Sequence, residues 1–396
     1  MSLTLGTTPV RYLGAHDLNR YTTQTFLSDS RDAGFWSKAD RCGARGHVRF
    51  APESDQRRVG TASAQCRVVA ESALMRALQY DAYGPVEHLS LREAPSPRPA
   101  AGPLVRVTVA ALNPKDALFR KGKFKVLSGR RFPKHCGVDF AGVVEAPYGE
   151  LRTGDAVFGA LSELRYGRGT LAELVAPRAA EVVHLPKGVA AVDAAAVALV
   201  GLTALQALRD IARAERGTSV LINGASGGVG TVAVQIARIL GARVTTVSSA
   251  ATAALCRSLG ADETLDYTRL DEALGDARFD VVFDVFGNLR FARAQPGLRR
   301  RGVFISTVLT PRRLVRELVT RFSLQQERLV VVNPNRADLT QLGAWLADGQ
   351  LRAVIDSRFA LCDYEAAFHK LESKHTHGKI VIDVDARASA PPSVAK

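Results

Sequence analysis

Residues 221–238 read LINGASGGVGTVAVQIAR. An apolar run, Leu221-Ile222, gives way to the small-residue loop Asn223-Gly224-Ala225-Ser226-Gly227-Gly228-Val229-Gly230, and an amphipathic segment follows. In that segment Val229, Ala233, Ile236 and Leu240 recur at helical spacing and define one face. A glycine loop between a buried strand and a helix is the setting a phosphate-binding motif requires. Its glycines permit a tight turn and close backbone approach to a pyrophosphate, and the helix N-terminus then stabilises the anion.

Outward from this loop the chain alternates strand and helix. Strands are expected at 218–222, 243–247, 263–267, 280–285 and 302–306, with a helix at 311–322 and a sixth strand at 328–332. Such alternation predicts an α/β fold with a doubly wound parallel sheet. Upstream, LVRVTVAA (104–111), VDFAGVVEA, GDAVFGAL and LAELVAPRAAEVVHL are short apolar runs bounded by Gly or Pro, which predicts a β domain up to about Pro186. The run AAVDAAAVALVGLTALQALRDIARA is read as helical with a break at Gly201.

The expected organisation is a substrate domain over 75–197, a Rossmann domain over 198–332 and a return to the first domain over 333–385. Residues 1–74 are polar and turn-rich without period, and read as a disordered extension or as a start assigned too early. Residues 386–396 read as a disordered tail.

The second strand decides the nucleotide. An NAD site usually ends that strand with an acid for the ribose 2′-hydroxyl. Here it ends in Ser248-Ser249-Ala250-Ala251, hydroxyls without a carboxylate, which favours NADP (NADPH). Tyr267, ending the third strand, is a candidate donor to the phosphate.

The chain carries a net charge of +14 and 53 Lys and Arg residues, spread along its length. A nucleic-acid binder concentrates such charge on one element, so no nucleic-acid partner is expected. No contiguous apolar run reaches the ~18–20 residues of a membrane span, so no membrane partner is expected either. Five cysteines without C-x2-C spacing argue against a disulfide framework or structural zinc, and a cytoplasmic location is the default.

Eight further motifs share one order: AYGPVEHLSL (82–91), ALNPKDALFRKG (111–122), FPKHCGVDFAGVV (132–144), TGDAVFG (153–159), GLTALQAL (201–208), SLGADETLDYT (258–268), FDVVFDVFGN (279–288) and HGKIVIDV (377–384). Together with NGASGGVG they resemble the medium-chain dehydrogenase/reductase superfamily, in its zinc-independent quinone oxidoreductase-like branch. The resemblance implies a GroES-like β domain beside the Rossmann domain, a cleft between them, and a homodimer. Where zinc-dependent relatives carry a ligand cysteine and a ligand histidine, this chain has Asn113 and Val138, so no metal is expected, and the neighbouring His135 and Cys136 do not make a site.

The resemblance further implies that Asn113 offers its amide to the substrate oxygen and that Thr203 sits against the nicotinamide. Asn223, Ala225, Ser226, Gly227, Gly228, Val229, Gly230, Ser248, Ser249, Tyr267, Gly287 and Lys379 are the expected cofactor contacts, with Gly287 admitting the cofactor and Asn288 capping the next helix. Phe119 and Phe124 are expected to shape the pocket in place of the bulky residue that Ala117 lacks. The implied reaction is NADPH-dependent hydride transfer to a quinone or an α,β-unsaturated carbonyl. An enoyl reductase acting on thioesters, and a cofactor-loaded protein without turnover, are the alternatives.

Overall fold

The computed structural model describes residues 74–162, 166–275 and 278–385. The expectations for residues 1–73 and 386–396 fall outside these. Leu74 lies inside, and opens the first strand.

The first part of the chain supplies β1 (Leu74–Tyr80), β2 (Leu89–Pro95), β3 (Leu104–Ala111), β4 (Lys134–His135), β5 (Asp139–Ala146), β6 (Ala156–Ala160), β7 (Leu174–Val175) and β8 (Val182–His184). The second supplies β9 (Ser219–Asn223), β10 (Arg243–Ser248), β11 (Glu263–Asp266), β12 (Phe279–Asp284), β13 (Leu298–Ser306) and β14 (Gln326–Leu329). Two last strands, β15 (Ile355–Ala360) and β16 (Lys379–Asp383), complete the set.

Strands β9–β14 form a sheet in the order β11-β10-β9-β12-β13-β14, parallel at every pairing. This is the doubly wound Rossmann order, with its switch point between β9 and β12. Val220, Leu221 and Ile222 of β9 and Val281, Val282 and Phe283 of β12 are fully buried, as central strands covered on both faces must be. A second sheet runs β15-β16-β3-β5-β6-β8, and β16 pairs antiparallel with β3. The C-terminal strand thereby returns to the N-terminal sheet, with Lys379 at its start and level with Ile355 of β15.

Helix Ala191–Leu205 joins the two sheets: it packs on β3, β5 and β6 and also on helix Gly228–Ile239. Residues 194–205 of this helix are all buried. Two sequence readings are corrected here. The helix is not broken at Gly201. A Cβ there would lie 2.7 Å from Leu342 of helix Arg336–Ala347, so the glycine serves close helix packing. The irregularity comes later, as a π-turn at Gln206–Ile211. The whole of Ala191–Ile211 is long and apolar enough to cross a membrane, which counting contiguous apolar residues did not reveal. Most of it is buried in the protein core.

Boundaries elsewhere shift. The sixth strand is Gln326–Leu329, ending before Val330, and β13 begins at Leu298 so as to include Arg299, Arg300 and Arg301.

Candidate active site

The glycine loop stands at the switch point. Gly224 takes φ +86°, and the amides of Gly224 and Ala225 both donate to the Val247 carbonyl at the end of β10. A Cβ on Gly230 would lie 2.2 Å from the Gly224 carbonyl oxygen, so the helix starts hard against the loop. Gly227 differs: a Cβ there would meet nothing nearer than 3.7 Å. Helix Gly228–Ile239 has no side-chain cap, and its first amides have no intrahelical partner. Open space at Gly227 beside uncapped amides fits a pyrophosphate.

Asn223 ends β9, and its Nδ2 donates to Asp284 Oδ1 (2.9 Å) and Asn288 Oδ1 (2.8 Å). Asp284 ends β12, is fully buried, and also accepts the amides of Gly287 and Leu289. Burial pushes its carboxyl above the usual range against these bonds. Asp284 thus ties the two switch-point strands together. The expected role of Asn288 as a helix cap is not found, because helix Phe291–Ala294 starts after Arg290 and the Asn288 oxygen serves Asn223. Gly287 is required by its own backbone, at φ +82°, and a Cβ there would strike Val308 at 2.2 Å.

The other end of the site comes from the N-terminal sheet. Asn113 precedes helix Pro114–Arg120, and its amide N–H donates to Asp116 Oδ2 at 2.8 Å. Burial raises the Asp116 carboxyl, which also accepts the Tyr166 hydroxyl. The Asn113 side chain is buried and fully engaged. Its Nδ2 donates to Asp139 Oδ2 (2.8 Å) and, at 3.4 Å, to the Ala111 carbonyl, while its Oδ1 accepts Lys379 Nζ (2.7 Å). Lys379 Nζ also donates to Asp139 Oδ2 at 3.0 Å, and Asp139 Oδ1 accepts the Leu199 amide of the joining helix at 2.7 Å. One turn on, the Thr203 hydroxyl donates to the Leu199 carbonyl.

These two ends meet. Gly378 N donates to the Ser226 carbonyl at 2.9 Å, Gly227 and Gly378 form a parallel bridge, and a Cβ on Gly228 would lie 2.9 Å from Lys379 Cδ. The structure therefore brings Asn113, Lys379, Thr203 and the glycine loop to one place. It also adds Asp139, which lies in the motif FPKHCGVDFAGVV with no role expected for it. An acid buried beside a lysine was the available signal, but pairing 240 residues apart is invisible in a linear motif.

The adenosine end is different. Ser248 is buried, with its Oγ directed to the Ser249 carbonyl and 3.6 Å from Cys256 Sγ, and Ser249 Oγ pairs with Thr252. Tyr267 is 63% exposed. The turn that is free of acids in sequence is not so in space: Asp266, level with Ser248 across the sheet, accepts the Ala250 amide at 2.9 Å. The carboxyl of Asp266 is held below its usual range first by the Thr268 amide.

Phe119 is buried, with ring centroids 4.9 Å from Phe124 and 4.7 Å from Tyr166. His135 Nε2 lies 3.0 Å from Gln79, Cys136 is buried, and Val138 is wholly enclosed. Among the described residues no three His, Cys, Asp or Glu side chains converge as metal ligands, and the ammonium of Lys379 lies between Asn113 and Asp139. These residues do not fit a zinc ion.

Fold and site define a nicotinamide-dependent oxidoreductase. Residues 101–187 match the alcohol dehydrogenase GroES-like domain and 259–382 the zinc-binding dehydrogenase family. The chain is 32% identical to the chloroplast envelope quinone oxidoreductase homolog of Arabidopsis thaliana, over 78% of this chain and 98% of that one. It is 35% identical to trans-enoyl reductase pgmF of Aspergillus terreus, over 78% and 96%. The structure of the quinone oxidoreductase from Coxiella burnetii superposes with a TM-score of 0.73 at 28% identity, covering 79% of this chain and all of that one. The chain belongs to the medium-chain dehydrogenase/reductase superfamily, in its quinone oxidoreductase-like branch.

Proposed function

We propose that this protein is an NADPH-dependent, zinc-independent reductase of quinones or α,β-unsaturated carbonyls. The observation that carries the reading is the buried Lys379 ammonium, held by Asn113 and Asp139 against the glycine loop. A nicotinamide cofactor supplies hydride when bound, with Gly227, Gly228 and Val229 at its pyrophosphate and Ser248, Ser249 and Tyr267 towards its adenosine.

The chain's own residues then deal with charge. Hydride addition to a conjugated acceptor builds negative charge on the acceptor's carbonyl oxygen. Asn113 is poorly placed to serve that oxygen, because its amide donates strongly to Asp139 at 2.8 Å and weakly to the Ala111 carbonyl at 3.4 Å. Lys379 can: two of its three N–H bonds are directed to Asn113 and Asp139, and the third remains for the substrate. A fixed cation in a buried site stabilises a developing oxyanion strongly and needs no reorganisation. Asp139, anchored by the Leu199 amide, fixes where that cation points. A saturated ketone gains less from this arrangement, because it cannot spread the developing charge by conjugation.

The match to a trans-enoyl reductase supports thioester-linked enoyl chains as a second acceptor class. NADPH oxidation against a panel of quinones, enones, enoyl-CoA thioesters and saturated ketones tests the reading. Turnover of a conjugated acceptor and not of saturated ketones is expected. Tight NADPH binding without turnover of any acceptor would leave a cofactor-loaded, non-enzymatic protein.

A further inference from the structure

Helix Pro311–Thr320 turns its polar side inward. Arg313, Arg316, Glu317 and Thr320 face the protein, and Leu314, Val315, Leu318 and Val319 face outward. A charge turned inward is costly unless a partner meets it, so the partners show what each inward charge holds. The Arg316 guanidinium lies 5.9 Å from the Phe291 ring, and Glu317 pairs with Arg328. Arg313 reaches further, to the switch point of the parallel sheet. Its Nη2 donates to the Leu289 carbonyl at 2.8 Å and lies 3.5 Å from Asp284 Oδ2. The Leu289 amide donates to the same Asp284 Oδ2 at 3.2 Å. One ion pair therefore holds both backbone groups of Leu289.

Asp284 carries the tie onward. Its Oδ1 accepts the Gly287 amide at 3.0 Å and Asn223 Nδ2 at 2.9 Å. Residues 285–289 thereby close on the glycine loop. The Val285 and Phe286 amides donate to the Asn223 carbonyl, and a Cβ on Gly224 would lie 2.9 Å from Phe286 Cβ. Four donors thus converge on one carboxyl, a full set for its charged form. Protonation would turn one of those acceptor sites into a donor facing donors. Burial works towards that outcome and pushes the carboxyl up, opposed by the bonds from Asn223 and Gly287 and by the charge of Arg313. Among the described residues Arg313 is the only charged side chain paired with Asp284. On its far side Arg313 lies 4.0 Å from Glu327 of β14, which in turn feels Arg316, Glu317 and Arg312.

We infer that Arg313 is a positioning residue for the cofactor: it keeps Asp284 ionised, and the ionised carboxylate holds Asn223 and residues 285–289 in the shape in which the glycine loop receives a dinucleotide. Arg313 acts through Asp284 and needs no contact with the cofactor itself. The inference rests on the glycine loop as the nicotinamide-dinucleotide cradle and is independent of which acceptor is reduced. A role confined to fastening the helix would weaken the protein alike at every pH. A role exercised through the charge of Asp284 gives cofactor binding a pH dependence once Arg313 is gone. The sign follows from the charged form being the one that binds: affinity is present above the Asp284 pKa and lost as pH falls through it.

The test is calorimetric titration of NADH into the full chain between about pH 6 and pH 8, NADH being chosen because it lacks a phosphate monoester that titrates in this range. The parent should bind with nearly level affinity throughout. Arg313→Met should keep its affinity at the upper end and lose it towards the lower, by up to about tenfold per pH unit for one proton. Arg313→Gln, a second variant should the first not fold, should show the same fall. Arg313→Lys keeps the charge and should restore the level profile. Asp284→Asn/Arg313→Met has no carboxyl to titrate and should be level at reduced affinity. Glu327→Gln should follow the parent. A level profile in Arg313→Met and Arg313→Gln, or a fall that persists in the double variant, would overturn the inference. Failure of both NADH and NADPH to bind the parent would overturn the cofactor reading itself, and the positioning role with it.

Discussion

The two ends of the cofactor crevice are built in opposite ways. At one end Asn113, Asp139 and Lys379 are buried, mutually bonded, and drawn from three strands' surroundings and the joining helix. At the other, Tyr267 is exposed, Asp266 is half-buried, and Ser248 and Ser249 turn their hydroxyls into their own turn. On the proposed reading, the groups that act on a developing charge are fixed in advance, where a low local dielectric makes each bond count. On the same reading, the groups near the adenosine lie closer to solvent, where each is worth less. Damage to the first end should therefore be large and catalytic, and damage to the second small and confined to preference.

The largest effect should follow removal of the ammonium. Lys379→Met alone strands a buried carboxylate and should destabilise the fold by about 3–5 kcal/mol. The pair Asp139→Asn/Lys379→Met removes both charges, and its thermal midpoint should recover most of that loss. Its kcat should still fall by about 10²–10³ with NADPH affinity unchanged. A double variant with parental kcat would remove Lys379 from the chemistry.

Next come two glycines that are close in sequence but differ in surroundings. Gly230→Ala forces a methyl onto the Gly224 carbonyl and should lower stability by about 1–3 kcal/mol. Gly227→Ala meets only open cradle, so thermal melting should stay parental while NADPH affinity falls by about tenfold. Equal affinity in calorimetric titration would place the pyrophosphate elsewhere.

The smallest effect belongs to Asp266. Asp266→Asn removes a carboxylate bonded to the turn after β10 and should move the NADPH-to-NADH affinity ratio about twofold to fivefold towards NADPH. A shift towards NADH would mean that Asp266 is not near the 2′ position.

The same contrast separates what was legible in the sequence from what was not. The glycine loop and the parallel strands were readable because each is local: a period, a turn residue, a motif. Gly201 was misread because a glycine in a helical pattern looks the same whether it breaks the helix or admits Leu342. Asp139 was overlooked, and Asn113 was credited with a donor that it spends on Asp139, because that bond joins residues 26 apart. Asp266 was missed for the same reason: its partner Ala250 belongs to the adjoining strand's turn. The outward face of helix Pro311–Thr320 was hidden because periodicity shows that a helix has two faces, not which one meets solvent.

The central claim is that the Lys379 ammonium, and not a metal, serves the substrate oxygen. Its most direct test is the rate of quinone or enone reduction by NADPH before and after exhaustive chelation, with metal content measured on the same sample. The account predicts an unchanged rate and far less than one zinc per chain. A rate lost on chelation and restored by added zinc would contradict it.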